Sequence, residues 1–179
     1  MDGSLLRTQV QRAAKRYAVQ FAVGSVYTPQ MVVDGHIELV GSDERGAIRD
    51  IEAASKEAKV PVRIASLRLD DDKTLAVHVE AGPLLKSNPV KYATFLLAIA
   101  DENDVSQVSR GENAGRTLKY VAVLRDFVTI GSVDKTSEFS RSLSVKIPRD
   151  VQHDLRVVAI VQEPDAGRVW GVGSAQLSN

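Results

Sequence analysis

Few side chains in this sequence have the types and spacing that chemistry requires. The densest string is Gly111-Glu112-Asn113-Ala114-Gly115-Arg116: a carboxylate able to act as acid or base, a carboxamide donor, and a guanidinium fork for a carboxylate or phosphate. Its Gly-x-x-x-Gly spacing is not that of the phosphate-binding loop, which needs a following Lys-Ser or Lys-Thr. The other reading is structural, with a buried Glu112–Arg116 pair or an Asn113–backbone bond locking a loop between two parts of the fold. A second string, Thr28-Pro29-Gln30, enters a β-prone run. Pro29 has no N–H to donate and so belongs at a strand start or edge, where a cis Thr28–Pro29 bond is open to it.

Other chemistry finds less support. His36, His78 and His153 are far apart and fit neither a His-Glu-x-x-His nor a His-x-x-Glu-His frame, so metal binding is not expected. His78 alternates within Leu75-Ala76-Val77-His78-Val79, which puts it on the polar face of a strand. Asp70 to Asp72 could hold a cation, but three acids ahead of Lys73 between two strands read as a solvated turn. There is no Gly-x-Ser-x-Gly elbow. With no cysteine, the chain has no thiol nucleophile, thiolate zinc site or disulfide, although this leaves the compartment undecided. No cofactor is expected, and Trp170, the sole tryptophan, reads as the core anchor of the last strand.

The elements that must carry these residues follow from periodicity. From Leu6 to Phe21, apolar residues recur at helical spacing opposite Arg7, Arg12, Lys15 and Arg16, giving an amphipathic helix whose basic face is either solvated or a binding surface. Val26–Val33 and His36–Val40, joined by Asp34-Gly35, predict a hairpin with a two-residue type I′ turn. Ser42 is the expected N-cap of a second helix ending near Lys59, ahead of Pro61, with Ala47, Ile48, Ile51, Ala54 and Ala58 on one face. Beyond it lie seven short apolar or alternating runs: 62–69, 74–80, 92–100, 118–130, 139–147, 155–161 and 168–175. Turn-rich stretches separate most of them, which predicts an antiparallel sandwich. The fold class is therefore α+β, divided into 1–60 and 61–179 at Val60-Pro61.

Composition narrows the partners. A hydrophobic fraction of 44% and a charged fraction of 26% are those of an ordinary folded protein. With 23 basic and 23 acidic residues there is no global field to draw nucleic acid or an anionic membrane, so neither is an expected partner. The longest apolar stretch, Tyr92–Ala100, is about half a membrane span. Met1 to Ser4 lead into a charged segment with no apolar signal core.

Two segments in this order, Ser25-Val26-Tyr27-Thr28-Pro29-Gln30-Met31-Val32-Val33-Asp34-Gly35 and Gly111-Glu112-Asn113-Ala114-Gly115-Arg116-Thr117-Leu118, resemble a bacterial family known as domain of unknown function 1223. The resemblance implies a thioredoxin-like N-terminal part followed by a β-rich part. It also implies that a leader, a strand, a Cys-x-x-Cys segment and another strand would precede the helix near Leu6, so this chain is expected to be either a truncated or a cysteine-free relative. Full-length relatives would be periplasmic or secreted. By that similarity Thr28, Pro29 and Gln30 would border a site where an extended partner adds as a strand. Glu112, Asn113 and Arg116 remain binding or interdomain candidates. The expected function is a non-catalytic binding or interaction module, meeting a protein or peptide, or a second copy of itself, at the Val26–Val33 edge. The alternative is a redox-linked protein whose dithiol segment is missing from this chain.

Overall fold

A computed structural model describes residues 3–70, 73–107, 109–111, 114–147 and 154–177 of the chain. In order, the elements are α1 (Gly3–Gln20), β1 (Gln30–Val33), β2 (Ile37–Val40), α2 (Glu44–Ser55), β3 (Val62–Leu69), β4 (Thr74–Ala81), β5 (Tyr92–Gln107), β6 (Thr117–Asp134), β7 (Phe139–Lys146), β8 (Leu155–Gln162) and β9 (Val169–Leu177). A single 3-10 turn, Pro164–Ala166, joins the last two strands. Among the described residues no helix is long and apolar enough to cross a membrane.

Period-two alternation builds the larger part. Leu75, Val77, Val79 and Ala81 of β4 are buried, as are Phe95, Leu97 and Ile99 of β5 and Leu155, Val157, Ala159 and Val161 of β8. Side chains two apart on a strand share a face, so each set forms one apolar surface. Two antiparallel sheets, in the orders β3-β4-β7 and β6-β5-β8-β9, enclose these surfaces in one core. Each fully buried aliphatic or aromatic side chain there stabilises the fold by about 1.5–3 kcal/mol relative to exposure. Phe95 of β5 meets Phe139 of β7 edge-on with ring centroids 4.9 Å apart, tying the sheets together. The seven strands are those predicted by the runs after Pro61. Their order is that of an immunoglobulin-like sandwich in which the fourth strand has joined the sheet of the third.

The first part of the chain has the order α1-β1-β2-α2, and several local expectations need correction. The hairpin turn has positive φ at Asp34 (49°) and Gly35 (72°), as type I′ geometry requires, and the His36 N–H donates to Val33 O at 3.1 Å. Register nevertheless pairs Val33 with Ile37, so three residues rather than two separate the strands. Asp43, not Ser42, caps α2: its carboxylate accepts from the Gly46 N–H at 3.0 Å. The helix ends at Ser55, a turn before Lys59, because Glu57, Lys59 and Val60 are drawn into contacts with the hairpin and β9.

Those contacts converge on the connection between β8 and β9. Val169 N–H donates to Asp34 O and Val60 N–H to Trp170 O, both at 2.8 Å. The Gln20 side chain donates to Gly35 O at 2.7 Å, and Gln162 Nε2 donates to Tyr17 Oη at 3.0 Å and Gly167 O at 2.9 Å. Lys59 Nζ lies 2.5 Å from Asp34 Oδ2, Arg168 pairs with Glu57, and the Arg168 guanidinium stacks 4.6 Å from the Trp170 ring centroid. Trp170 Nε1 donates to Glu163 Oε1 at 3.0 Å. Trp170 thus anchors the last strand and also the contact with the first 60 residues.

Two expectations follow. A Cβ on Gly35 would run into the Gly167 carbonyl, and its φ is left-handed, so Gly35→Ala should destabilise by about 2 kcal/mol, read as a lowered urea midpoint in Trp170 emission. The Glu57 carboxyl is held below the ordinary glutamate range chiefly by its hydrogen bond to Arg168, against a smaller opposing effect of burial. A lowered folded-state pKa contributes stability that is full above the ordinary range and lost as pH falls through the lowered value. The wild type should therefore lose stability over that acid window, while Glu57→Gln should show a flatter acid limb in urea unfolding at successive pH values.

Candidate functional site

The strongest candidate site is the free edge of β1. Thr28–Pro29 is a cis bond, Thr28 and Pro29 are exposed, and Gln30 is half-buried at the strand start. Pro29 O accepts from the Gly41 N–H at 2.8 Å, which turns Pro29 toward β2. Backbone groups alternate along an antiparallel strand, so Met31 and Val33 also turn toward β2, while the N–H and C=O of Gln30 and Val32 turn away from it. β1 pairs with β2 alone among the described strands.

Beside that edge runs a shallow groove of about 400 Å³ between β1 and α2, lined by Met31, Val32, Val33, Ile51 and Ala54 and closed at one end by the Asp34–Lys59 pair. The face of α2 predicted as uniformly apolar is divided. Ala47 and Ala54 are buried, while the larger Ile48 and Ile51 are 52% and 51% exposed. The arrangement offers two donors, two acceptors and an apolar flank. It suits an extended backbone.

The Gly111–Arg116 string is elsewhere. The β5–β8 ladder stops at Asp101 opposite Leu155, whereas the β5–β6 ladder continues to Gln107 opposite Thr117, so residues 102–107 and 117–122 project as a two-stranded arm. Its tip turns through Gly111 (φ 88°) and Gly115 (φ 80°), and the Ala114 N–H donates to Gly111 O at 3.0 Å. Glu112 and Asn113 lie outside the described residues. Arg116 is exposed, and it sits beyond the Leu155 end of β8, whereas the contacts with the first 60 residues gather at the Gln162 end. A buried pair between the two parts of the fold is therefore corrected for Arg116.

Two buried carboxylates, Asp101 and Asp126, are at the root of that arm, outside the strings that stand out in the sequence. Asp101, 1% exposed, accepts from Arg125 Nη2 at 3.1 Å, and Asp104 accepts from the same nitrogen at 2.8 Å. Arg156 forks onto Glu102 at 2.5 and 2.6 Å, holding that carboxyl below its ordinary range. Asp126, 2% exposed, accepts from the Phe127 N–H at 2.8 Å. The available signal was Asp101 continuing the inward alternation of Phe95, Leu97 and Ile99.

His78 lies on the outer face of the three-stranded sheet with its ring nitrogens 2.8 Å from Ser142 Oγ and 3.3 Å from both Ser140 Oγ and Glu80 Oε1. Ser142 and Ser140 stand directly opposite His78 and Glu80 in the ladder, and Arg63 pairs with Glu80 from the other side. Cross-strand pairing on an open face accounts for this row without a reaction. His153, Asp71 and Asp72 lie outside the described residues, among which no group of three or more potential ligands could hold a metal ion.

Arg116→Lys should leave stability within about 0.5 kcal/mol, as surface changes do, whereas Arg125→Met, which strands the Asp101 carboxylate, should cost about 3 kcal/mol. Urea unfolding of both variants checks the contrast.

The family model described as "Protein of unknown function (DUF1223)" matches residues 4–162. No curated protein matches the chain. Among solved structures, a β-glucosidase from Kluyveromyces marxianus in complex with glucose is 8% identical, with 68% of this chain and 14% of that chain covered at a TM-score of 0.34. A selenomethionine-labelled β-glucosidase from that organism is 8% identical (73% and 17% covered, TM-score 0.33). A penta-haem cytochrome c552 from Thermochromatium tepidum is 9% identical (91% and 50% covered, TM-score 0.32). This chain spans half or less of each of those proteins, and likeness at such scores carries no argument about fold or function.

Proposed function

The chain belongs to the DUF1223 family, and we propose that it works as a non-catalytic binding module that accepts an extended polypeptide as a further strand on β1. One observation carries this reading: Gln30 and Val32 direct their backbone groups away from the only described strand that β1 pairs with, beside an apolar groove. Strand addition draws affinity from such main-chain groups and selectivity from the flanking pocket.

In this reading residues 1–60 are a thioredoxin-like α/β unit of a bacterial protein, seated on the sandwich of residues 61–179. The α1-β1-β2-α2 order supports it, as does the resemblance carried by Ser25–Gly35. The added strand completes the small sheet. Thr28, Pro29 and Gln30 border its entry, and Met31 and Ile51 meet its side chains. A thiol–disulfide role would have to arrive with the added segment, since the chain itself holds no thiol.

Val32→Pro removes an outward N–H while leaving the β1–β2 ladder its donors, and an edge strand tolerates proline. Light scattering coupled to size exclusion should show concentration-dependent self-association of the wild type that Val32→Pro abolishes. Hydrogen exchange at the wild-type Gln30 and Val32 amides should be slow in the associated form, and at Gln30 it should be fast in the variant's monomer, where position 32 carries no amide hydrogen. A wild type that stays monomeric at high concentration with both amides protected would show the edge to be covered already, and the proposal would be wrong.

A further inference from the structure

A second recess lies against α1. A cleft of about 530 Å³ separates this helix from the outer face of the four-stranded sheet. Its floor is Leu96 of β5, Phe127 of β6 and Ile160 of β8; Leu96 stands opposite Ile160 in one ladder and Thr129 in the other. The outward face of a sandwich sheet is ordinarily polar. Here the outward-facing Leu96, Ala98 and Ala100 are only 7%, 7% and 6% exposed, so this sheet has an apolar surface on its outside as well as toward the core.

The roof supplies charge. Arg12, Ala13, Arg16 and Tyr17 line the cleft from α1. Arg16 is engaged by Asp165 at 3.2 Å, the Tyr17 hydroxyl accepts from Gln162, and Glu163 accepts from the Trp170 indole. Arg12 has no partner among the described residues. One uncommitted guanidinium therefore stands over a hydrocarbon floor, in a space within the roughly 300–1,000 Å³ of small-molecule sites. A guanidinium matches the two oxygens of a carboxylate, and an apolar floor favours whatever hydrocarbon it removes from water.

We propose that this cleft binds an amphipathic carboxylate, with its hydrocarbon body on Leu96, Phe127 and Ile160 and its carboxylate on Arg12. The site is independent of strand addition at β1, which uses none of these residues. It also gives the basic face of α1 a role beyond solvation.

The test uses the full chain with decanoate as probe and 1-decanol as its uncharged counterpart, followed by amide shifts in a nitrogen-15 correlation spectrum and by titration calorimetry. Decanoate should shift the amides of Ala13, Leu96, Phe127 and Ile160. Arg12→Gln should weaken decanoate at least about tenfold, the loss of one charged hydrogen-bonding partner, and leave 1-decanol unchanged. Thr129→Trp, which fills the cleft from an exposed position, should abolish both with an unaltered melting point. The proposal is overturned if decanoate causes no shifts at millimolar concentration, if the shifts map to Met31 and Ile51, or if Arg12→Gln binds decanoate as the wild type does.

Discussion

The arrangement of the first 60 residues depends on one close backbone approach, where the turn Asp34-Gly35 lies on the strand entry Gly167-Arg168-Val169. Any side chain at Gly35 would occupy the space of the Gly167 carbonyl. The same dipeptide must supply positive φ twice to reverse the hairpin. Asp-Gly meets both demands, since aspartate tolerates the left-handed region better than most residues and glycine enters it freely. Once the turn is seated, Asp34 presents its carbonyl to Val169 and its carboxylate to Lys59, so one residue binds the hairpin to both β9 and the exit of α2. Gly171 and Gly173 extend the logic along β9, because a Cβ at either would collide with the backbone at Val60 and Val62.

The outer strands β6 and β1 are treated differently. β6 is the long outer strand of its sheet, and its register slips at Ile130 and again at Arg125, with a left-handed residue at Ala122. Bulges of this kind twist an edge out of the flat geometry that another chain could extend. β1 has none of these devices. Gln30-Met31-Val32-Val33 carries no charge and pairs without a register shift to Val40-Leu39-Glu38-Ile37. The fold thus interrupts its 18-residue edge at β6 and leaves the four-residue edge of β1 smooth.

The strands of the sandwich were legible because each has its own short-period signal: Leu75, Val77 and Val79, or Leu155, Val157, Ala159 and Val161, identify a buried face without reference to any partner. The arm was not legible. Residues 101–107 alternate too weakly to read as strand, and only the long-range pairing with 117–123 makes them one. The cap at Asp43 and the early end of α2 share that cause, since they are decided by a competition between neighbouring residues and by contacts with Arg168 and Trp170 across more than a hundred residues. Arg116 misled for a related reason. A string with unusual chemistry invites a binding or a buried structural reading, whereas its two left-handed glycines serve the reversal of an exposed hairpin. The carboxylates that are buried, Asp101 and Asp126, sit in runs whose neighbours conceal them.

The energetics of the β1 edge also constrain what can occupy it. Two outward residues offer four backbone groups, each worth about 0.5–1.5 kcal/mol when paired, and covering the exposed half of Ile51 adds about 1 kcal/mol. Fixing four residues of a flexible peptide costs about 1–2 kcal/mol each, before any loss of translational freedom. These magnitudes nearly cancel, so a short disordered peptide would gain little by adding to β1. A strand already held extended by its own fold escapes most of that ordering cost, and it can bring side chains to Met31 and Ile51 together. The groove between β1 and α2 is therefore suited to a preformed strand, which places the selectivity of the edge in the foldedness of its partner as much as in the partner's sequence.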